Sequence, residues 1–271
     1  MDSMIKLIAT DMDGTFLKED GTYSKKRLVR VLEALKQKGI VFAVSSGRSL
    51  LAIDSLFADF LGDIAVIAEN GSLVKYQDQV LFADYLTKTQ CQEIIEAILI
   101  NPFYEEAGIL LSGQKAAYIL EGASQAYIEK MHHYYENIKL IANIDAIGDD
   151  LIFKLTTTFT NETVLKASDW LDQRLAFVTA VTTGFESIDI ILKEVNKGFG
   201  MEHLCKALAI LPEQVLAFGD NFNDIQMLEY AGLAIAPENA REEIKAIVDQ
   251  VIEPCQQESV LTYLERFVEN E

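Results

Sequence analysis

"KLIATDMDGTFL", Lys6 to Leu17, is an apolar run that ends in two acids one residue apart, followed by a glycine. A strand that only has to stop usually does so with Gly, Asn or Pro. Residues i and i+2 of a strand point to the same side, so Asp11 and Asp13 are expected to face one space past the carboxyl end of the first strand. Ligands of open α/β sheets sit in that crevice. Gly14 lets the chain turn away and lets backbone N–H groups approach an anion. Two acids this close strain each other's ionisation unless a cation or a shared proton relieves them. Mg²⁺ suits that task, because it favours oxygen ligands and keeps waters and phosphates in its shell. A plainer reading leaves Asp13-Gly14 as a turn dipeptide and Asp11 as a helix cap.

The pattern around this stretch alternates strand and helix. "LIAT" reads as a buried strand, and Ser24 to Gly39 as an amphipathic helix with Leu28, Val31, Leu32 and Leu35 on one stripe. "IVFAVSS" is strand, Ser49 to Leu61 is helix, and "IAVIA" is strand. Continuous apolar strands separated by helices indicate a parallel sheet covered on both faces. From Tyr85 to Glu186 the texture changes to longer, alternating strands, among them "AGILLS", "AAYIL", "LIFKLTTTF" and "AFVTAVTT". Two helical stretches lie among them, at Gln90 to Ile100 and Thr163 to Leu171, and the alternation suggests an antiparallel sheet. After "FESIDIIL" the short pattern returns: helix from Phe199 to Leu208, strand "VLAFG", helix from Ile225 to Ala231, and strand "LAIA". The expected fold class is α/β: a Rossmann-like, doubly wound, mostly parallel sheet core made of residues 1–84 and 187–271, with an α+β domain inserted at residues 85–186.

Composition narrows the function classes. The chain has 271 residues, half of them hydrophobic, enough for a sizeable core. Its 23 basic and 42 acidic residues give a formal net charge of −19, which disfavours nucleic acid and anionic lipid as partners. An anionic substrate then needs a local positive centre, a lysine or a bound cation. The three cysteines form no CxxC pair and read as small core residues in a reducing compartment. The acids that arrive at Asp11 leave no signal-peptide core, and the apolar runs are too short to span a membrane, so a cytoplasmic setting is expected.

Other strand and helix tips repeat the theme of the first. "AVSSGR" ends a strand with a hydroxyl and a glycine, "VNKGFG" starts a helix with Lys197, and "VLAFGDNFNDIQML" runs from strand into Gly219, Asp220, Asn223 and Asp224. Together with "DMDGT", these motifs resemble the four of the haloacid dehalogenase-like hydrolase superfamily, and within it the Cof-type, sugar-phosphatase-like group. "AENGS", Ala68 to Ser72, resembles an Asn-Gly element of that group. The resemblance spans nearly the whole chain. It departs at "AIAPENA" and "EPCQQESVL", where the family often reads close to AMGNA and NDEDGV. Those departures bear on the subfamily and the substrate.

The resemblance implies a Mg²⁺-dependent phosphatase of small phosphorylated metabolites, sugar phosphates or phosphorylated cofactors, with residues 85–186 as the cap domain. It makes Asp11 the nucleophile, forming an aspartyl-phosphate, and Asp13 the general acid and base. It assigns phosphate contacts to Met12, Ser46, Gly47, Lys197 and Asn223, and Mg²⁺ to Asp11, the Asp13 backbone carbonyl and Asp220, with Asp224 in support. Neither nucleic acid nor membrane is expected as a partner, and the chain is expected to act as a monomer or homodimer. Two other classes stay open on these residues: a phosphomutase of sugar phosphates, and a non-enzymatic, receiver-like phosphate-binding module.

Overall fold

A computed structural model describes residues 5–105, 107–183 and 186–270. Met1 to Met4, Glu106, Gly184, Phe185 of "FESIDIIL" and Glu271 lie outside the described residues. In chain order the strands are β1 (Leu7–Thr10), β2 (Val41–Ser45), β3 (Ile64–Ala68), β4 (Leu73–Tyr76), β5 (Gln79–Ala83), β6 (Ile109–Gly113), β7 (Ala117–Leu120), β8 (Ile138–Ile141), β9 (Ile152–Thr158), β10 (Val178–Thr182), β11 (Ser187–Leu192), β12 (Val215–Phe218), β13 (Leu233–Pro237) and β14 (Gln250–Ile252). The helices are α1 (Lys25–Gln37), α2 (Leu50–Leu56), α3 (Lys88–Leu99), α4 (Gln125–Met131), α5 (Val164–Arg174), α6 (Lys197–Leu208), α7 (Ile225–Tyr230), α8 (Glu242–Lys245) and α9 (Ser259–Asn270).

Two compact units emerge. The first comprises Met1–Gly47, Phe57–Ala83 and Asn196–Glu271; the second comprises Arg48–Leu56 and Asp84–Val195. The first unit holds an eight-stranded sheet in the order β14-β13-β12-β1-β2-β3-β4-β5. Its strands from β14 to β3 run parallel, and β4 and β5 close it antiparallel. β1 lies mid-sheet between β12 and β2, all four of its residues are buried, and Leu7, Ala9, Val215 and Ala217 share one core with Met201, Leu204 and Met227 of the helices. α1 forms as its stripe requires. Ser24 caps it by accepting from the Arg27 N–H, and Leu28, Val31, Leu32 and Leu35 are buried. Each such side chain contributes about 1.5–3 kcal/mol. Arg27 bridges α1 to the C-terminal segment through Glu258 and Glu265.

Helix from Ser49 to Leu61 was the sequence expectation, but α2 ends at Leu56. Beyond it the backbone makes tighter i→i+3 bonds, Phe60 N–H to the Phe57 carbonyl and Asp63 N–H to that of Phe60, which let both phenyl rings turn into the core. The β4–β5 hairpin was not foreseen. Its two-residue turn, Gln77-Asp78, has positive φ at both positions (48° and 61°) without a glycine, so the usual hairpin signal is missing.

The second unit holds a six-stranded sheet, β10-β11-β9-β6-β7-β8, antiparallel except for β7 beside β8. The boundary expected at residue 186 needs revision. β11, Ser187–Leu192, pairs on both sides with β9 and β10 and belongs to this sheet, so the unit runs on to Val195. β11 reads "SIDIIL", an apolar run that a parallel core strand could equally carry, and only its hydrogen-bond partners decide. One face of the sheet packs Ile109, Leu111, Leu155, Ile188 and Ile190 against α3 and α5. The other carries a buried ion pair. Lys154 Nζ lies 2.8 Å from Asp189 Oδ2, and Thr156, directly opposite Asp189, donates to its Oδ1 at 2.7 Å. Among the described residues no helix is long and apolar enough to cross a membrane.

Replacing Asp189 with Ala removes the carboxylate that lies 2.8 Å from the buried Lys154 ammonium. The variant is expected to lose about 3–5 kcal/mol of stability in urea unfolding. The double replacement Lys154→Met with Asp189→Leu should recover most of that loss. A single variant within about 1 kcal/mol of the parent contradicts the reading.

Candidate active site

Every residue expected at the site lies in the first unit, around the carboxyl ends of β1, β2 and β12 and the first turn of α6. β1 ends at Thr10. Asp11 keeps one sheet-like bond, its N–H donating to the Phe218 carbonyl at 2.9 Å. The chain then folds tightly on itself, and the Met12 carbonyl accepts from the N–H groups of Thr15, Phe16 and Leu17. The strand periodicity used to pair Asp11 with Asp13 therefore stops before either residue. Asp11 is buried, 6% exposed, while Asp13 is exposed.

The acids that meet Asp11 come from far along the chain. Carboxylate oxygens of Asp11, Asp220 and Asp224 lie within 4.8 Å of one another. Asp220 and Asp224 are carried by the loop and short 3-10 turn (Phe222–Asp224) between β12 and α7. Lys197 opens α6, which Asn196 caps by accepting from the Phe199 N–H at 2.9 Å. Its Nζ, 1% exposed, donates to Asp11 Oδ1 at 2.5 Å and to Asp224 Oδ1 at 2.6 Å.

Two environments follow. Burial opposes charge on Lys197, but the two carboxylates around it outweigh burial and hold its pKa above the ordinary lysine value. For Asp11 the balance goes the other way. Burial, with Asp224 and Asp220 adding to it, outweighs the attraction of Lys197 and holds the carboxyl well above the usual carboxylate range. Asp220 is raised too, again chiefly by burial. Three clustered carboxyls with one lysine are a set of hard oxygen donors short of positive charge, and a divalent cation fits them. Asp224 has both oxygens engaged, Oδ1 with Lys197 and Oδ2 with the N–H groups of Asp220 and Asn221. Asp224 thereby ties the Lys197 ammonium to the loop after β12.

Ser46 and Gly47 follow β2. Ser46 is buried, its N–H donating to the Ile67 carbonyl at 2.9 Å. Asn223 is half-buried on the 3-10 turn, and Met12 is fully buried beneath the Asp11 turn.

Sequence reasoning passed over two residues that hold this arrangement. Thr15 donates its hydroxyl to Asp220 Oδ1 at 2.7 Å. Asn239 donates to the Gly14 carbonyl at 2.7 Å and accepts from the Cys255 N–H at 2.8 Å. Thr15 stood in the quoted "DMDGT", but a hydroxyl one turn past an acid has no signal of its own. Asn239 lay in "AIAPENA", a segment marked by its departure from the family pattern.

Known proteins resemble this chain along nearly its whole length. The family model described as haloacid dehalogenase-like hydrolase matches residues 8–264. A 5-amino-6-(5-phospho-D-ribitylamino)uracil phosphatase of Escherichia coli (strain K12) is 32% identical over 268 residues, covering 98% of this chain and 97% of that protein. A phosphoglycolate phosphatase of Methanopyrus kandleri is 29% identical over 267 residues, covering 98% of each. Among solved structures, a protein of Streptococcus mutans UA159 superposes with a TM-score of 0.88 at 28% identity, covering 98% of this chain and 99% of that one.

Gly14 has a φ of 88°, and a Cβ there would stand 2.5 Å from Asp220 Oδ2. Gly14→Ala is expected to cost about 1–3 kcal/mol from the backbone alone and to push the Asp220 carboxylate away from Asp11. Urea unfolding reads the first effect and turnover the second. A variant with parental stability and activity contradicts the close approach.

Proposed function

The chain belongs to the haloacid dehalogenase-like hydrolase family and is a phosphatase of small phosphorylated metabolites, and on that premise we propose a Mg²⁺-dependent hydrolysis through an aspartyl-phosphate on Asp11. One observation carries the reading: the Asp11 carboxyl is buried against a lysine ammonium and two further carboxyls at the tip of a central strand. Such an oxygen is oriented and screened from water, and in a chain of net charge −19 Lys197 provides the local positive centre an anionic substrate needs.

In the proposed reaction an Asp11 oxygen attacks phosphorus in line with the leaving oxygen. The new O–P bond forms as the ester P–O bond breaks, and Asp13 passes its proton to the departing alcohol. Asp13, now a carboxylate, takes a proton from the water that attacks the aspartyl-phosphate. Inorganic phosphate leaves and Asp11 is regenerated. The two carboxyls suit different tasks, since one is buried among charges and the other is exposed. Ser46, Gly47, the Met12 N–H, Lys197 and Asn223 are proposed to hold the phosphoryl oxygens. Asp11, the Asp13 carbonyl and Asp220 are proposed to hold Mg²⁺ with Asp224 in support, and Mg²⁺ when bound supplies charge neutralisation. The second unit is proposed to be the family's cap domain, with its alternating antiparallel sheet. Three buried cysteine thiols, none in a disulfide, suit a reducing, cytoplasmic setting.

The test is phosphate release from a panel of sugar phosphates, nucleotides, flavin mononucleotide and pyridoxal phosphate, with and without Mg²⁺. Asp11→Asn is expected to abolish release, by on the order of 10⁴-fold or more in kcat, with the fold unchanged by circular dichroism. Removal of Mg²⁺ with a chelator should do the same reversibly. Substantial release by Asp11→Asn removes the nucleophile assignment. Sugar-phosphate isomers formed without free phosphate point to a mutase instead.

A further inference from the structure

"AENGS", Ala68 to Ser72, is the one singled-out motif that the proposed chemistry does not use. Glu69–Gly71 form a single 3-10 turn directly after β3, and both Glu69 (φ 53°) and Asn70 (φ 56°) are left-handed. Asparagine tolerates that region better than most residues, but two successive non-glycine residues there persist only where their surroundings hold them.

The surroundings are two loops of the site. The Asn70 N–H donates to the Ser46 carbonyl at 3.0 Å. Its side chain lies against Gly47, where a Cβ would stand 2.8 Å from Asn70 Oδ1 and 3.2 Å from Nδ2. On the other side, a Cβ on Gly71 would stand 2.1 Å from the Asn196 carbonyl oxygen, and one on Gly200 would stand 2.9 Å from the Gly71 Cα. The turn is thus wedged between the Ser46–Gly47 loop and the start of α6, which carries Lys197. Asn70 is 4% exposed, and its Nδ2 has no acceptor among the described residues. Buried amide donors are nearly always paired, so one left open beside a loop of this kind asks for an acceptor that arrives later.

We propose that Asn70 is a positioning residue for the phosphoryl group: it sets Ser46 and Gly47 against the helix that carries Lys197, and its Nδ2–H gains an acceptor when an oxyanion orders that loop. The inference rests on the reading of Ser46–Gly47 as an oxyanion-binding loop. A purely structural turn would affect stability alone. A positioning residue affects anion affinity and kcat/KM at constant stability.

Three variants separate the possibilities. Asn70→Gly keeps the left-handed backbone and removes the amide. Asn70→Asp keeps the shape and the turn, and replaces the donor with a charged acceptor. Asn70→Ala loses both backbone preference and donor. Asn70→Gly and Asn70→Asp are expected to melt within about 3 °C of the parent. Both should lose about tenfold or more in kcat/KM on the best substrate of the panel, and in affinity for inorganic phosphate and orthovanadate by calorimetry, with Asn70→Asp the worse. The proposal is overturned if both variants match the parent within about twofold in those readouts. It is equally overturned if Asn70→Ala alone is impaired and Asn70→Gly restores parental values, since the backbone turn would then explain everything. The parent protein tests the phosphatase reading separately. Anion binding without turnover in the parent removes that reading, and the variant affinities then decide the role of Asn70. No anion binding in the parent overturns both.

Discussion

A single buried ammonium organises the first unit. Lys197 is 1% exposed, and removing such a charge from water costs several kcal/mol unless close partners offset it. Here the partners are Asp11, 186 residues away in sequence, and Asp224, 27 residues away. Three segments that share no local sequence relation are therefore tied at one point: the end of β1, the start of α6 and the loop into α7. Asp224 is tied further, because its second oxygen accepts the Asp220 and Asn221 N–H groups, so the loop after β12 cannot drift without exposing a charge.

The same constraint explains why the two acids of "DMDG" are so unlike. Asp11 sits inside the charge cluster, where burial and two further carboxyls push its proton affinity up. Asp13, two residues on, has already turned to solvent, because the Met12 carbonyl gathers three successive N–H groups into a tight turn. One dipeptide spacing thus delivers two carboxyls in different dielectric surroundings. That contrast is what the proposed division of labour between Asp11 and Asp13 would draw on. Thr15 and Asn239 tie the turn to its neighbours, Thr15 by donating to Asp220 and Asn239 by donating to the Gly14 carbonyl.

In the second unit, charge burial is handled differently. Lys154 and Asp189 pair across adjacent strands, with Thr156 satisfying the remaining carboxylate oxygen. In the first unit three carboxyls, those of Asp11, Asp220 and Asp224, gather around one lysine. Three carboxyls on one ammonium leave capacity for a further cation.

The amino-acid sequence alone determined the fold class, the strands that carry the site and the residues at their tips. Buried parallel strands are continuous apolar runs, and "LIAT", "IVFAVSS" and "VLAFG" announce themselves with acids, hydroxyls and glycines where they end. Local chemistry sufficed for α1 as well, since its cap and stripe lie within one segment. Strand periodicity did not decide which acids face each other, and in the sequence the grouping of Asp11 with Asp220 and Asp224 was implied only through the family resemblance. Strand periodicity pointed to Asp11 with Asp13, while the folded chain brings Asp11 to Asp220 and Asp224, because the turn after Thr10 ends the two-residue repeat and the sheet order sets β12 beside β1. The membership of β11 and the wedge made by Asn70 were invisible in one dimension. Both depend on which backbone groups and which glycine faces meet across long stretches of chain, and a single sequence does not carry that pairing.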